Sequence, residues 1–214
     1  TEKVETLRLK KKSMPAKMMG SSLGIGFSRI FGFLRYVVIS ALFGAGRVTD
    51  IFNVGLTISN LMRRVVAENS LENAFLPVFS RTFLRQPRKK SWEAASSIVN
   101  FNLLASLVFV ILGIVFTPFL IRSFYPGFVA RGMVADTVSM TRIMFPFLFI
   151  VTVSAIITTF LKAFNRFGIA EFSASFFSLG IILFILLFHR SLGLYSLGWG
   201  IIFGGIIQLL FLLP

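Results

Sequence analysis

The chain has 214 residues, of which 56% are hydrophobic, and its mean hydropathy is +0.85. These values exclude an ordinary soluble domain, because several apolar runs reach the roughly 20 residues that a helix needs to cross a bilayer. A net charge of +14 would suggest nucleic acid for a soluble protein. Here the basic residues lie mostly between apolar runs, so no nucleic-acid partner is predicted. Cysteine is absent, which excludes disulfides and Cys-based metal sites.

The apolar runs predict an all-α integral membrane protein with about six transmembrane helices. The predicted spans cover residues 18–43, 51–83 with an interruption, 98–120, 138–161, 172–188 and 194–214. Residues 1–17 are polar and basic and predict a cytoplasmic tail near anionic membrane lipids. Since the sequence starts at Thr1 and stops inside an apolar run, we interpret it as part of a longer protein.

The distribution of Lys and Arg predicts the orientation in the membrane. Basic residues are concentrated in the tail, in residues 81–90 and in residues 162–166. The opposite loops contain only Arg47, Arg122, Arg131 and Arg190. By the positive-inside rule the N-terminus is cytoplasmic, with residues 44–49 and 122–136 outside.

Arginines inside the apolar segments are the strongest functional signal. An arginine at membrane depth costs roughly 3 kcal/mol on insertion scales and more than 10 in simulations, so by default it marks a function. Arg29 and Arg35 lie in the first span and are separated by about 120° around a straight helix. A wide cavity, or a break near Gly32, would let both face one ligand. Arg63 and Arg64 lie at the end of the apolar part of the second span. Either they have a functional role, or their side chains snorkel to the cytoplasmic headgroups.

Two acids accompany these arginines. Thr49 and Asp50 are predicted to be the N-cap and a first-turn acid of the second helix, and Asp50 alternatively serves as an arginine counter-ion. Glu68 lies four residues after Arg64, so the two can meet on one helical face. In the fourth span, Arg142 precedes Pro146, which favours a kink.

Small residues predict where helices approach closely. Gly20 and Gly24 form one GxxxG spacing in the first span, and Gly200 and Gly204 form another in the last. No catalytic constellation or cofactor motif is found, and His189 is the only histidine. A guanidinium binds phosphate bidentately and stays charged at any relevant pH. The predicted ligand is therefore an anion, with phosphate or pyrophosphate suiting it best, and the protein is not predicted to be an enzyme.

Four segments between residues 28 and 80 carry a family resemblance. SRIFGFLR, LFGAGRVTDIF, NLMRRVVAE and AFLPVFS resemble the first two transmembrane helices of the MurJ/MviN family, and TRIMFPF followed by FNRF extends the resemblance to about Phe167. That family comprises the lipid II flippases of bacterial peptidoglycan synthesis, which support cell wall biogenesis and cell shape. It belongs to the multidrug/oligosaccharidyl-lipid/polysaccharide exporter superfamily. The resemblance implies fourteen helices in two lobes around a cationic cavity, of which this chain would supply most of the N-terminal lobe.

The resemblance also implies a substrate and residue roles. The substrate would be lipid II, an undecaprenyl pyrophosphate carrying a disaccharide-pentapeptide, moved from the inner to the outer leaflet of the cytoplasmic membrane by alternating access. The cavity arginines of the family fall on Arg29, Arg35 and Arg63. Candidates for gating or charge pairing fall on Asp50, Arg64, Glu68 and Arg142. The remaining C-terminal lobe would be a partner within the same chain, and coupling to an ion gradient or the membrane potential stays open.

The sequence departs from the family pattern at identifiable positions. Tyr36 stands where many relatives carry an acid, and Ala170 and Glu171 stand where prolines are usual. Two alternative transporters remain: an O-antigen-type polysaccharide-lipid flippase, and a drug/cation antiporter, which would place carboxylates at mid-span. A non-transporting membrane scaffold is the third alternative, and it predicts that acids within the bundle neutralise the arginines.

Overall fold

The structure, a computed structural model, describes residues 24–64, 88–164 and 166–213. Over this part of the chain it contains helices and no strands. The helices are α1 (Gly24–Phe43), α2 (Arg47–Arg63), α3 (Arg88–Phe124), α4 (Pro126–Ala130), α5 (Val134–Met144), α6 (Pro146–Ala163), α7 (Phe167–Leu192) and α8 (Tyr195–Leu212). The predicted all-α membrane architecture is confirmed. The tail 1–17, Gly20, Glu68 and the continuation of the second span to Phe83 lie outside the described residues.

Five of the described segments are long and apolar enough to cross a membrane. They are Gly24–Phe43, Ser96–Phe124, Val134–Ala163, Gly168–Leu192 and Tyr195–Leu212. The sequence predicts about six; the remaining predicted span, 51–83, is described only as far as residue 64 and contains α2. The Val134–Ala163 segment is divided at Phe145, because Pro146 lacks the N–H that a continuous helix would use there.

Glycines with positive φ end two of the membrane helices. Gly44 has a φ of 68° and donates its N–H to the carbonyl of Ser40, which closes α1. Gly193 has a φ of 50° and donates to His189 in the same way, which closes α7. Residues with a side chain rarely adopt this backbone region, so glycine allows the chain to turn back directly into the next helix.

The α5–α6 segment lies at the centre of the packing, between two hydrophobic clusters. On one side Met140, Met144 and Phe147 contact α2, α7 and α8 in the first cluster, which also includes Ile39 of α1. On the other side Phe145 and Leu148 belong to a cluster with α2 and α3. Elsewhere α1 is mostly exposed, and its N-terminal part meets α7 where the rings of Phe27 and Phe172 lie edge to face, 5.8 Å apart.

The hairpin of α7 and α8 is the tightest helix pair, because glycines face each other across it. A Cβ added at Gly180 would lie 2.7 Å from the Cα of Gly204, and one added at Gly204 would lie 2.5 Å from the carbonyl oxygen of Phe177. Such distances leave no room for a methyl group. Gly204 therefore has the role that the GxxxG spacing predicts, which is to let two backbones approach closely.

Candidate functional site

A cavity of about 350 Å³ lies among α1, α2, α6, α7 and α8. Its lining comes from one face of each helix, since the contributing positions recur every three or four residues. The charged and hydrogen-bonding side chains that line it include Ser28, Arg35, Asn60, Arg63, Ser178 and Gln208. No aspartate or glutamate lines the cavity within the described chain. The cavity is therefore cationic and rich in hydrogen-bonding groups.

Arg35 is positioned by aromatic rings. Its Cζ lies 5.0 Å from the ring centroid of Tyr36 and 5.6 Å from that of Phe177, within the range of cation–π attraction. Phe177 in turn stacks on Phe147, with ring centroids 5.1 Å apart. Arg35 makes no ion pair with any described residue. Tyr36, which stands where many relatives of the resembled family carry an acid, contacts the guanidinium with its ring face, so no carboxylate among the described residues compensates the charge.

Arg63 enters the same cavity from the end of α2. Its Nε–H donates to Oδ1 of Asn60, one helical turn earlier, at 3.4 Å. This contact orients the guanidinium along α2 and uses the acceptor of the Asn60 amide. The structure thus brings Arg35 and Arg63, predicted from two different helices, to one cavity.

Arg29 is exposed and does not line this cavity. The helix α1 continues through Gly32 without a break, so the 120° separation of Arg29 and Arg35 is retained. Ser28, Gly32 and Arg35 face the cavity, and Arg29 lies on the flank of that stripe. The sequence allowed either a wide cavity or a break near Gly32, and the break is not observed.

Asp50 and Arg64 lie away from the cavity lining. Asp50 is an exposed residue in the first turn of α2, and Arg64 is exposed directly after the helix. The prediction of Thr49 as N-cap is wrong: the helix starts at Arg47 after Gly46. The Thr49 hydroxyl instead donates to the carbonyl of Gly44 at 2.6 Å, because the turn folds back over the start of the helix.

Arg142 contacts a neighbouring helix rather than the cavity. Its Nε–H donates to the carbonyl oxygen of Ile114 in α3 at 3.0 Å. Among the described residues, ion pairs also join helix ends. Arg47 and Asp136 meet at 2.8 Å between the starts of α2 and α5. Lys162 and Glu171 meet at 3.4 Å between α6 and α7.

Sequence reasoning missed Asn60, Ser178 and Gln208 as lining residues. A polar amide within an apolar helix is itself a signal, because burying it without a partner is costly. Gln208 lies in the strongly apolar α8 and could have been found in this way. Ser178 could not, because serines in membrane helices commonly bond to their own backbone and have no necessary role in a site.

A bundle of membrane-spanning helices around a cationic cavity without described acids has the architecture of a polytopic membrane protein. Solved structures share this fold. "Lipid II flippase MurJ, inward closed conformation" matches with a TM-score of 0.74 and 24% identity, over 89% of this chain and 40% of that one. "Crystal structure of MATE in complex with MaL6" matches with a TM-score of 0.71 and 18% identity, over 91% and 43%.

Sequence comparison identifies the family. The family model described as "Lipid II flippase MurJ" matches residues 39–214, and the chain belongs to this family. The probable lipid II flippase MurJ of Buchnera aphidicola subsp. Schizaphis graminum is 34% identical over 190 residues, which are 87% of this chain and 37% of the relative. That of Borreliella burgdorferi is 34% identical over 194 residues, or 88% and 36%.

The chain therefore spans little more than a third of the length of these relatives. Family membership confirms the resemblance found in the sequence. Together with the five membrane-spanning segments, it makes the chain a multi-pass protein of the bacterial cytoplasmic membrane.

Proposed function

We propose that the complete protein containing this chain moves lipid II from the inner to the outer leaflet of the cytoplasmic membrane for peptidoglycan synthesis. In this proposal a central site between two lobes opens alternately to each side of the membrane. The described helices belong to the first lobe. The family membership supports the substrate. The observation on the site that carries the proposal is that Arg35 and Arg63 line one cavity with no carboxylate among its described lining residues.

Arg35 is suited to bind the pyrophosphate. An aromatic ring attracts the face of a guanidinium and leaves its N–H groups at the edge, where a phosphate can accept them in pairs. A carboxylate in place of the aromatic ring would accept hydrogen bonds from those N–H groups and occupy them. Arg63 would bind the same group from α2, with its Nε held by Asn60. Arg29 is proposed to meet the ligand at the edge of the cavity, on the flank of the same helix.

The remaining sequence candidates keep different proposed roles. Asp50 and Arg64 are candidates for gating or charge pairing near the ends of α2, as is Glu68 beyond the described residues. Arg142 is proposed to support packing, because its Nε bonds to a backbone carbonyl in α3.

The alternatives fit the site less well. A drug/cation antiporter needs carboxylates at mid-span, and none lines the described cavity. A scaffold needs its arginines neutralised, whereas Arg29 and Arg35 make no ion pair with a described residue. An O-antigen-type flippase carries a related pyrophosphate-linked lipid, so transport assays that compare the two lipids must decide between them.

The test uses the full-length protein and measures lipid II translocation together with protein level. Arg35→Ala and Arg63→Ala should abolish transport while the protein accumulates normally, since alanine removes an insertion cost. Each should weaken lipid binding about tenfold to a hundredfold, the effect of losing a charge-assisted hydrogen bond. The lysine variants should retain part of the function, because lysine keeps the charge and loses the planar fork.

Arg122→Ala is the matched control, because Arg122 is an exposed arginine in the last turn of α3, outside the cavity lining. Full translocation by Arg35→Ala and Arg63→Ala would overturn the substrate-site assignment. Loss of transport in step with loss of protein would instead show that these arginines hold the bundle together.

A further inference from the structure

The cavity contains neutral hydrogen-bonding groups that binding of a bare anion does not require. Ser178 of α7 lines the cavity although only 4% of the residue is exposed. Its hydroxyl makes no hydrogen bond to a described residue. Several other buried hydroxyls in this bundle, those of Thr137, Thr152 and Ser154, donate to carbonyls of their own helix, whereas those of Ser59 and Ser175, outside the cavity lining, have no described partner either. Ser178 therefore has hydrogen-bonding capacity left for a ligand in the cavity.

Gln208 of α8 provides a second such group, and its orientation is determined by its neighbour. The Ser173 hydroxyl donates its single proton to the carbonyl of Ala170 at 2.7 Å. It can then only accept from Gln208, whose Nε2–H donates to it at 3.4 Å. One N–H and the carbonyl oxygen of the amide remain unused at the cavity wall.

An unused carbonyl oxygen is informative about the ligand. Oxygens of a phosphate and of an amide both accept hydrogen bonds, so the carbonyl oxygen of Gln208 gains nothing from a bare anion, although the free N–H of the amide can donate to one. A hydroxyl or amide N–H of a ligand would satisfy it. Asn60 adds the complementary groups, because Arg63 uses its oxygen and its NH₂ donors remain. The cavity thus suits an anion that carries hydroxyl and amide groups next to its charge.

We propose that Ser178 and Gln208 form a subsite for the glycosyl part of a lipid-linked glycosyl diphosphate, beside the arginines that bind the diphosphate. This subsite rests on the proposed function and adds to it the residues that recognise the uncharged headgroup. A site built to hydrogen-bond a substrate group discriminates against a ligand that lacks it, since its own polar groups are then left unpaired. Ser178 and Gln208 accordingly favour the glycosylated carrier lipid over the bare one.

The test compares two probes on the purified full-length protein: a polyprenyl diphosphate, and the same lipid carrying an N-acetylated sugar. Gln208→Leu and Ser178→Ala should each weaken binding of the glycosylated probe about fivefold to tenfold, the range expected for one hydrogen bond. Binding of the bare diphosphate should stay within about twofold of wild type. Arg35→Ala should weaken both probes.

Ser154→Ala is the matched control, since Ser154 is equally buried and bonds to its own helix outside the cavity. Ser178→Ala removes a single oxygen, and it decides the question if Gln208→Leu does not accumulate. Equal effects on both probes, or no effect on either, would overturn the subsite and leave the proposed function standing. A wild-type protein that binds both diphosphates no better than a neutral polyprenol would overturn the proposed function and the subsite together.

Discussion

Arg142 of α5 donates its Nε–H to the main-chain carbonyl oxygen of Ile114 in α3, across 3.0 Å. Pro118 lies inside α3, four residues after Ile114. Because proline has no N–H, α3 cannot satisfy the Ile114 carbonyl by its regular hydrogen bond. Within a bilayer such a carbonyl needs a partner from the protein. Arg142 supplies this partner and thereby joins the two helices at the point where Pro118 interrupts the bonding.

This relationship predicts coupling between Arg142 and Pro118. Arg142→Leu should lower the free energy of unfolding by about 1–3 kcal/mol, because it leaves the Ile114 carbonyl unpaired. Pro118→Ala restores an N–H to α3, so the same arginine substitution should cost clearly less in that background. A double-mutant cycle on the full-length protein, followed by unfolding in detergent, measures the difference.

Arg122→Leu serves as the control for this cycle, since it removes an arginine of α3 that is exposed in the last turn. Its cost should be the same with Pro118 and with alanine at position 118. Additive effects of Arg142→Leu and Pro118→Ala would contradict the assigned role of Arg142.

The α7–α8 contact predicts different outcomes for two glycines of one GxxxG spacing. A Cβ at Gly204 would lie 2.5 Å from the Phe177 carbonyl oxygen, whereas a Cβ at Gly200 would make an ordinary contact of 3.5 Å with Ile185. Gly204→Ala should therefore lower the unfolding free energy by about 1–3 kcal/mol through overpacking. Gly200→Ala, the matched control in the same helix, should be tolerated. Equal unfolding midpoints for the two variants would show that the helices can separate at no cost.

The cavity should be accessible to water from α1. Single cysteines at Ser28 and Gly32 should react with a hydrophilic thiol reagent in membranes, because both positions line the cavity and a Cβ at Gly32 meets no other atom within 4 Å. Leu187→Cys on the exposed apolar face of α7 is the control and should remain unlabelled. If Ser28→Cys is as inert as that control, the cavity is dry in the membrane and cannot receive a charged headgroup.

The orientation of the chain in the membrane remains a prediction from its charge distribution. Cysteines at Ala45, in the turn between α1 and α2, and at Ala130, at the end of α4, should react with an impermeant reagent added to intact cells. Ser91→Cys near the start of α3 should be protected. The reverse pattern would place the N-terminus outside and contradict the positive-inside assignment.

Local properties of the sequence determined the class of the protein and indicated its family. Apolar runs of sufficient length specify membrane helices because each helix satisfies its own backbone within the bilayer. The arginines of α1 and α2 stood out for the same reason, since a charge inside an apolar run is costly wherever the neighbouring helices lie. The segments around Arg35 and Arg63 carried the family resemblance, and the family match over residues 39–214, which includes Arg63, confirmed the family.

The tertiary structure alone decided which side chains meet. Arg35 and Arg63 share a cavity, and Arg29 lies on its flank, because the packing of α1 against α7 determines which stripe of that helix faces inward. Gln208 joins the same cavity from a helix far along the chain. The start of α2 was misjudged because Thr49 bonds back to Gly44, a contact that depends on the preceding turn. Contacts between helices depend on how the helices pack, which the helical period of one segment does not specify. The sequence can therefore mark Gln208 as unusual, but only the folded bundle shows that it lies beside the arginines.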